Sequence, residues 1–493
     1  MPAGLTRDWQ LSEQPLETNG SSEPPLVVDL DGTLIRTDSL HEGCVQLLAM
    51  QPLQIFRLPG WLAGGKARLK AALADAVAID VAQLPINETV LAFLRSEKAR
   101  GRRIVLASAA HRRVVQAIAD HLGVFDAVLA TDGETNLAGA MKAEKLVAQF
   151  GAGGFDYIGN SHADINAWRL ARQGFVVRPS AGLHRRLRAQ CPNVSVIDDE
   201  KASVLDYLRA LRPHQWAKNA LLFLPMLAAH AIALENVLRL LPAFVAFCLV
   251  ASAVYLLNDL VDLPNDRDHH NKRQRPIASG AMPILHAMLL CPLLLVLGLV
   301  CAASVSTALL LLILGYFALT IVYSLYLKRL AIIDVMTLAG LYTLRVSAGG
   351  IVLGLPLSPW MLAFCLFLFF SLALTKRYAE LDARARRSKA ATTGRGYLLD
   401  DMPLIEIFAG ASGYAAVVVL ALYINTPVVS MLYPHPEGLW MICLLLLYWI
   451  SRMLLLTHRG QMHDDPVVFA LKDRTSLLVG LLCVVIAVAS SWR

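Results

Sequence analysis

Residues 258–280 read NDLVDLPNDRDHHNKRQRPIASG, and no other stretch says more about the kind of protein this is. Asn258, Asp262 and Asp266 are spaced four residues apart, so a continuing helix places their side-chain oxygens on one face. Mg²⁺ takes few protein ligands of this type and leaves coordination positions for phosphate oxygens. Lys272 and Arg275, in the basic run that follows, can neutralise a diphosphate. The stretch predicts a site for magnesium and a phosphorylated substrate.

This stretch lies at the end of the second of nine apolar runs in the C-terminal half of the chain. Each run has about the 17–25 residues that a helix needs to cross the hydrocarbon core. The runs occupy 220–236, 240–257, 284–303, 307–327, 331–354, 359–375, 404–424, 437–457 and 476–492. Acidic residues beside a membrane core are costly without a partner, which favours a binding site over a solvated loop.

Composition agrees with a membrane protein. The chain has 493 residues, of which 56% are hydrophobic and 17% charged, and its mean hydropathy is +0.52. Soluble proteins average roughly 45–50% apolar and about 25% charged residues. Residues 1–213 resemble a soluble domain, so the apolar excess belongs to the rest of the chain. A single soluble domain is excluded, and eight cysteines without a CxxC pair do not indicate a disulfide framework.

Lysine and arginine are concentrated in alternate loops between the apolar runs. The loop after the sixth run is the most basic, with Arg384, Arg386, Arg387, Lys389 and Arg395. The positive-inside rule makes these loops cytoplasmic. Residues 1–25 lack the apolar core of a signal peptide, so the N-terminal domain is expected in the cytoplasm. We therefore expect a multi-pass protein of a bacterial-type plasma membrane. The net charge of +7 reflects these loops and predicts no nucleic-acid partner.

The N-terminal half has polar motifs at the ends of apolar strand-like runs. LVVDLDGT (26–33) ends a run with Asp29 and Asp31, and RIVLAS (103–108) ends with Ser108. Lys142 and the segment from Asn160 to Asp164 follow later in the chain. Strand-like runs alternate with helical ones, the βαβ pattern of a Rossmann-like parallel sheet whose site lies at the carboxyl ends of its strands.

The C-terminal half resembles the UbiA superfamily of intramembrane prenyltransferases, which carry the motif NDxxDxxxD found here at 258–266. The nine runs agree with that all-helical fold. Three further segments match the family: the entry segment with Lys218, the YxxxLK loop with Tyr323, Lys328 and Asp334, and the next span with Arg345. The resemblance implies that these five residues bind substrate and that magnesium is held by Asn258, Asp262 and Asp266, here called the acidic row.

The loop after the sixth run departs from most of the family. Ring-prenylating members carry a second aspartate-rich motif there, whereas this chain has TKRYAELD at 375–382. Lys376 and Arg377 cannot bind magnesium, but they can bind phosphate directly. This pattern resembles the branch that makes polyprenyl-phosphoryl-5-phosphoribose from polyprenyl phosphate and phosphoribosyl pyrophosphate. If these two side chains only anchor the end of the span, the assignment to that branch loses its support.

The N-terminal half resembles the haloacid dehalogenase superfamily of aspartate-nucleophile phosphatases. The resemblance implies Asp29 as nucleophile and Asp31 as general acid and base, with Ser108 holding a phosphoryl oxygen and Lys142 neutralising charge. Magnesium would be held by Asp29, Asp31, Asn160 and Asp164, and residues 38–88 would form a small helical cap. Phosphatases usually have aspartate where this chain has Asn160, so reduced metal affinity or a degenerate phosphate-binding module stays possible.

The expected organisation is a disordered leader (1–24), a phosphatase-like domain (25–200), a linker (201–213) and a membrane transferase domain (214–493). The fusion predicts two steps: synthesis of a lipid-linked ribose 5-phosphate, then removal of its 5-phosphate. Two alternatives stay open. One is a UbiA-type prenyltransferase using a polyprenyl diphosphate beside an unrelated phosphatase. The other is a transporter or lipid-binding protein with a regulatory domain, which would show inverted repeats.

Overall fold

The computed structural model describes residues 23–131, 137–198, 203–270, 272–386, 396–462 and 465–491. Nearly all of the predicted leader (1–24), and Arg387, Lys389 and Arg395 of the basic loop, lie outside these ranges. The chain divides into two compact units. The first unit contains the residues up to Ala210 together with Leu256–Leu290, and the second contains Leu211–Tyr255 and Cys291 onward. The acidic row thus belongs to the same unit as the N-terminal domain.

The first unit is built on a six-stranded sheet in which all neighbouring strands are parallel, in the order β3-β2-β1-β4-β5-β6. The strands are β1 (Leu26–Val28), β2 (Ile104–His111), β3 (Ala127–Thr131), β4 (Asp156–Gly159), β5 (Gly174–Val177) and β6 (Val194–Asp198). The helices are α1 (Ser39–Met50), α2 (Leu58–Ala63), α3 (Lys66–Ala76), α4 (Glu88–Ala99), α5 (Arg112–Leu122), α6 (Ala140–Phe150), α7 (Ile165–Leu170), α8 (Ala181–Gln190) and α9 (Val204–Leu211).

The apolar run at 26–28 forms the central strand because both faces of the sheet are covered. Leu26 and Val28 pack in one hydrophobic cluster and Val27 packs in the other, and all three are fully buried. A parallel strand between two helical layers needs such a continuous apolar run. The predicted Rossmann-like sheet is confirmed, and α1 to α3 form the expected helical cap after Asp38.

The remaining helices comprise eight long apolar ones and four short ones. They are α10 (Leu224–Ala228), α11 (Leu234–Val261), α12 (Leu263–Asp268), α13 (Ile284–Val305), α14 (Thr307–Leu325), α15 (Ile333–Leu353), α16 (Pro359–Ala385), α17 (Met402–Ile424), α18 (Pro427–Leu432), α19 (Trp440–His458), α20 (Pro466–Lys472) and α21 (Arg474–Ser491). Eight helices within the described ranges are long and apolar enough to cross a membrane: α11, α13, α14, α15, α16, α17, α19 and α21.

Eight of the nine predicted runs correspond to these helices, whereas the first run, 220–236, does not form one long α-helix. This segment is divided between a 3-10 helix (Pro213–Phe223) and α10, which has five residues. His230 then adopts a left-handed conformation with φ 51°, which ends the helical run. The 3-10 segment packs so closely on α15 that a Cβ on Gly349 would lie 1.9 Å from the Leu222 carbonyl oxygen.

Candidate functional site

The first group of predicted site residues meets at the carboxyl edge of the parallel sheet. Asp29 directly follows β1, and its backbone N–H donates to the Ile158 carbonyl of β4 at 2.9 Å. The Lys142 ammonium, carried by α6, donates to Asp29 Oδ1 at 2.7 Å and lies 3.7 Å from Asp164 Oδ1. Both Asp29 and Lys142 are buried. The structure therefore joins residues that are more than a hundred positions apart in the sequence.

Tyr157, which sequence analysis did not single out, connects this group. Its hydroxyl donates to Asp164 Oδ1 at 2.7 Å and accepts from Lys142 Nζ at 3.1 Å. Tyr157 lies fully buried in β4 among apolar residues. A tyrosine hydroxyl in such a strand needs a polar partner, and that was the available signal.

The two aspartates of the DLD motif have different environments. Burial raises the pKa of Asp29 to about 6, although Lys142 opposes the shift. Burial, together with the charges of Asp38 and Asp29, raises the pKa of Asp31 to about 7. Asp31 Oδ1 also accepts from the Ser39 N–H at the start of α1 at 2.8 Å. A carboxyl group that titrates near neutral pH suits a general acid or base, whereas the lysine beside Asp29 favours an ionised nucleophile.

The charge of Lys142 is secured by its partners. Burial alone would lower the pKa of Lys142, but Asp29 and Asp164 raise it above its usual value. The ammonium therefore stays charged beside the carboxylate that the sequence assigns as nucleophile.

The fourth motif is built around Asp164. Its Oδ2 accepts from the Asn160 N–H, the Ser161 N–H and the Ser161 hydroxyl, and its Oδ1 accepts from Tyr157. A carboxylate has about four lone-pair positions, so these bonds occupy Asp164 fully. Asp164 thereby orients the 160–161 loop and Tyr157, and its predicted role as a magnesium ligand stays a prediction.

Other oxygen donors at this edge fit magnesium. The Asp29 carboxylate, the Asp31 carbonyl and the Asn160 amide oxygen are the mixed set that Mg²⁺ accepts alongside phosphate and water. Asn160 lies directly over Gly32, where a Cβ would lie 2.1 Å from its Nδ2, and Gly32 has φ 73°. Only glycine satisfies both the left-handed backbone and this contact. Among the described residues, no group of three or more His, Cys, Asp or Glu side chains is placed so that it could hold a metal ion.

Ser108 lies within β2 with no exposed surface, and its hydroxyl accepts from the Ala110 N–H at 3.0 Å. The cap contributes Lys70 of α3, whose ammonium donates to the Ala109 carbonyl at 2.6 Å, also on β2. Burial lowers the pKa of Lys70, while Asp31 and Asp38 oppose that shift. The cap therefore brings a cation to the strand that carries the predicted phosphoryl ligand.

The acidic row keeps the predicted helical register. The Asp262 N–H donates to the Asn258 carbonyl at 2.8 Å, and the Asp266 N–H donates to the Asp262 carbonyl at 2.9 Å. The chain therefore stays helical across Asp262, which lies between α11 and α12, despite Pro264. The three side chains share one face, as the spacing of four residues predicts.

Asp266 has the properties of a metal ligand. It is 1% exposed, and its Oδ1 has no hydrogen-bond partner among the described residues. Lys272 Nζ lies 3.7 Å from that oxygen, and Arg275 Nη1 donates to Oδ2. A buried carboxylate oxygen without a hydrogen bond is costly, and a divalent cation would satisfy it. The row therefore fits magnesium on this observation.

Arg275 also bonds to Asp259, which the sequence analysis had left out of the row. Arg275 Nη1 lies 3.1 Å from Asp259 Oδ1, and Asp259 is 3% exposed. Asp259 is the second letter of the ND pair, so the motif itself was the available signal. Its carboxylate orients the arginine that the sequence assigns to diphosphate binding.

The second unit contains a pair of lysines from distant segments. Lys218, in the 3-10 helix 213–223, and Lys376, on α16, both donate to Asp465 Oδ2 at 2.8 Å. Lys218 Nζ also lies 5.5 Å from the centre of the Tyr342 ring. Two residues predicted to bind substrate are thus brought together at one carboxylate.

Arg377 is placed differently from its neighbour Lys376. Its side chain is 2% exposed, its Nη2 lies 2.8 Å from Asp334 Oδ2, and its Nη1 bonds to Glu380. Asp334 is fully buried and also accepts from the Tyr397 hydroxyl. The Arg377 guanidinium is engaged in a buried ion pair, and direct binding of phosphate by Arg377 stays a prediction. Asp334, predicted to bind substrate, is its partner.

Arg345 is likewise held by protein groups. Its guanidinium donates to Asn219 Oδ1 at 2.9 Å, to the Leu341 carbonyl at 2.7 Å and to the Tyr316 hydroxyl at 2.7 Å. These bonds tie α15 to the 3-10 segment and to α14. Arg345 therefore orients Asn219, the neighbour of Lys218, and its binding of substrate stays a prediction.

Tyr323 and Lys328 lie at the end of α14 and in the 3-10 turn Leu327–Arg329 that follows it. Both side chains are half-buried. The structure places them in the second unit with Lys218 and Lys376.

An acidic row at the end of a membrane helix, together with an aspartate pair at the edge of a parallel sheet, defines a membrane-bound transferase with a hydrolase-type domain. The comparisons agree with this class. Residues 220–472, slightly more than half of the chain, match the UbiA prenyltransferase family, and residues 26–169 match haloacid dehalogenase-like hydrolases. The chain belongs to the UbiA prenyltransferase family and carries a haloacid dehalogenase-like domain at its N-terminus.

Relatives extend over different parts of the chain. An uncharacterized protein of Sinorhizobium fredii, y4nM, is 38% identical over 462 residues, covering 93% of this chain and 89% of its own. The decaprenyl-phosphate phosphoribosyltransferase of Corynebacterium glutamicum is 38% identical over 201 residues, covering 38% of this chain and 60% of its own. A solved structure of a UbiA homolog from Archaeoglobus fulgidus bound to GPP and Mg²⁺ is 17% identical, with TM-score 0.44, covering 58% of this chain and 99% of that one.

Proposed function

We propose that the membrane transferase domain (214–493) transfers the 5-phosphoribosyl group of phosphoribosyl pyrophosphate to a polyprenyl phosphate. The observation that carries the proposal is the convergence of Lys218 and Lys376 on Asp465, in a chain that has TKRYAELD at 375–382 rather than a second aspartate-rich motif. Two polyanionic substrates need cationic contacts, which lysine supplies as a compact charge. The name of the Corynebacterium glutamicum relative supports the same reaction.

In the proposed transfer, a phosphate oxygen of the lipid attacks the anomeric carbon of the ribose while the bond from that carbon to pyrophosphate breaks. A phosphate dianion is already nucleophilic, so no side chain has to act as a base. Lys272 and Arg275 bind the departing pyrophosphate, and Asp259 holds Arg275 in place. Asn258, Asp262 and Asp266 would hold magnesium, which would further stabilise that leaving group. Catalysis is then chiefly positioning and electrostatic stabilisation.

We further propose that the N-terminal domain removes the 5-phosphate from this lipid. Asp29 attacks the phosphorus, and the bond to the ribose 5-oxygen breaks as Asp31 gives that oxygen a proton. Water activated by Asp31 then hydrolyses the aspartyl phosphate and releases inorganic phosphate. Lys142, 2.7 Å from Asp29, offsets the phosphate charge. Magnesium bound through Asp29, the Asp31 carbonyl and Asn160 would supply additional charge neutralisation at the phosphate.

The proposed location is the plasma membrane of a bacterial-type cell, with the N-terminal domain in the cytoplasm. The basic loops support this orientation through the positive-inside rule. Phosphoribosyl pyrophosphate would then reach the acidic row from the cytoplasm.

The direct test incubates the purified full-length protein with phosphoribosyl pyrophosphate labelled in the ribose, a polyprenyl phosphate and Mg²⁺. Label is expected in the lipid extract, and a matched reaction with a polyprenyl diphosphate and an aromatic acceptor is expected to give no product. Label confined to the aqueous phase, or a prenylated ring in the matched reaction, would overturn the proposal.

The two-step order is tested with Asp29→Asn, which is nearly isosteric but cannot form an aspartyl phosphate. The variant is expected to accumulate lipid-linked ribose 5-phosphate, whereas the wild type yields the lipid without the 5-phosphate. The two lipids differ in mass by one phosphate group. Identical lipids from both proteins would show that the phosphatase acts on another substrate.

A further inference from the structure

Asp465 lies at the centre of the lysine pair and has two separate roles in the second unit. Its Oδ2 accepts from the ammonium groups of both Lys218 and Lys376, each at 2.8 Å. Its Oδ1 accepts from the Val467 N–H at 3.1 Å, which caps the start of α20. The cap holds the carboxylate in place while its other oxygen holds the two lysines.

The combined charge of Lys218, Lys376 and Asp465, here called the trio, favours binding of an anion. Two ammonium groups and one carboxylate leave one net positive charge in a site where the Lys218 and Asp465 side chains are each 9% exposed. Burial would raise the pKa of Asp465, but Lys376 and Lys218 hold it well below its usual range. Asp465 therefore stays ionised throughout the physiological range and keeps the like charges of the lysines together.

The trio has one open side. The Lys376 side chain is 34% exposed, compared with 9% for Lys218. Each ammonium carries three N–H donors and directs one of them to Asp465. The remaining donors of Lys376 can therefore reach a ligand without breaking the bond to Asp465. Oxygen-rich anions, phosphate groups above all, match adjacent ammonium donors.

We propose that Asp465 is a positioning residue that holds Lys218 and Lys376 together so that they bind a phosphate group of the transferase substrates. The inference deepens the proposed function and rests on it. Asp465 touches the lysines and not the substrate, so its effect on binding passes through them. A lysine pair without the shared carboxylate would separate by repulsion and lose this common binding geometry.

Asp473 offers a matched control in the same unit. Its Oδ2 accepts from the Ser476 N–H at 2.8 Å at the start of α21, and its carboxylate pairs with Arg452 at 2.6 Å. Asp473 therefore accepts a backbone hydrogen bond at the start of a helix and forms an ion pair, as Asp465 does, but it contacts neither Lys218 nor Lys376. Asp465→Asn and Asp473→Asn each remove one charge and keep an oxygen that can accept the helix bond.

The test measures binding of inorganic pyrophosphate to the full-length protein by titration calorimetry without Mg²⁺, so that cationic side chains dominate the signal. Asp465→Asn is expected to weaken binding at least tenfold, and Asp473→Asn by less than twofold. In a Lys376→Met background, Asp465→Asn should add less than threefold, because one of the two lysines through which it acts is gone. Equal affinities for the two asparagine variants, or effects that simply multiply, would overturn the inference.

Labelled-lipid formation separates this inference from the proposed function. A rise in the KM for phosphoribosyl pyrophosphate with a smaller change in kcat is expected for Asp465→Asn. If the wild type makes no labelled lipid while Asp465→Asn still weakens pyrophosphate binding, the transfer reaction fails and the lysine-positioning role stands. Asp465→Ser provides a second variant in case the asparagine protein aggregates, since serine also caps helices.

Discussion

Arg267→Met is expected to loosen the cap over the phosphatase-like site. Arg267, just after the acidic row, forms a bidentate ion pair with Glu42 of α1. Its Nη1 donates to Glu42 Oε2 at 3.0 Å, and its Nη2 donates to Glu42 Oε1 at 2.6 Å. Glu42 also accepts from the Thr37 hydroxyl at 2.7 Å, and Arg267 Nε donates to the Ala278 carbonyl at 3.1 Å. The two side chains are 7% and 6% exposed, so the pair is buried within the first unit.

Removing one member of a buried ion pair leaves an uncompensated charge and costs about 3–5 kcal/mol. In Arg267→Met, the Glu42 carboxylate keeps only Thr37 among the partners described above. If α1 opens locally, the free energy of that opening should fall by the same amount. At about 1.4 kcal/mol for each tenfold change, the amides of 39–50 should exchange with solvent deuterium at least about a hundredfold faster.

Hydrogen exchange followed by mass spectrometry is the suitable assay, because unfolding of a large membrane protein is not two-state. Arg113→Met is the control. It breaks the pair with Asp75 on the same cap, but those side chains are 68% and 64% exposed, so the cost is at most about 1 kcal/mol. Unchanged exchange of α1 in Arg267→Met, or equal changes in the two variants, would falsify the reasoning.

Three further predictions concern separate parts of the molecule. Asp262→Ala and Asp266→Ala should each abolish labelled-lipid formation yet leave phosphatase activity intact, because the two sites use different residues; lipid made at the wild-type rate would contradict the metal assignment. Lys376→Asp puts two carboxylates together and removes a phosphate contact, so transfer should fall at least about a hundredfold, equivalent to about 3 kcal/mol; normal transfer would mean that this lysine only marks the end of α16. Asp156→Asn tests acid stability. Burial would raise the pKa of Asp156, but Arg172 and Arg102 hold it below its usual value. The stabilisation is therefore present above the unfolded pKa of about 3.9 and is lost as pH falls through the lower folded value. Near-ultraviolet circular dichroism should show that the wild type loses stability below about pH 4. A variant whose stability falls as steeply with decreasing pH would contradict this role.

Local patterns in the sequence predicted the parts of this protein that depend on neighbouring residues. Three apolar residues at 26–28 predicted a strand buried on both faces, because a parallel sheet covered by helices has no polar face. The spacing of Asn258, Asp262 and Asp266 predicted a row on one helical face, and the chain keeps that register across the junction at Asp262. Hydropathy also predicted the eight long membrane helices, since each needs only a continuous apolar run.

Hydropathy could not show that the first apolar run does not form a long helix. Length and composition there satisfy the requirement for a span, but the backbone turns at His230 and the segment packs closely on α15. These are properties of tertiary packing, which a count of apolar residues does not contain.

The tertiary structure alone determined the partners of the charged residues. Asp465 is 247 positions from Lys218 and 89 from Lys376, and no periodicity links residues so far apart. Arg377 and Lys376 are neighbours in the sequence, yet successive residues on a helix point in different directions, so one enters a buried ion pair and the other lies at the lysine pair. Sequence gives the number and type of charges; the fold determines which are neutralised inside the protein and which remain for a substrate, because a buried charge requires a partner that only packing can bring to it.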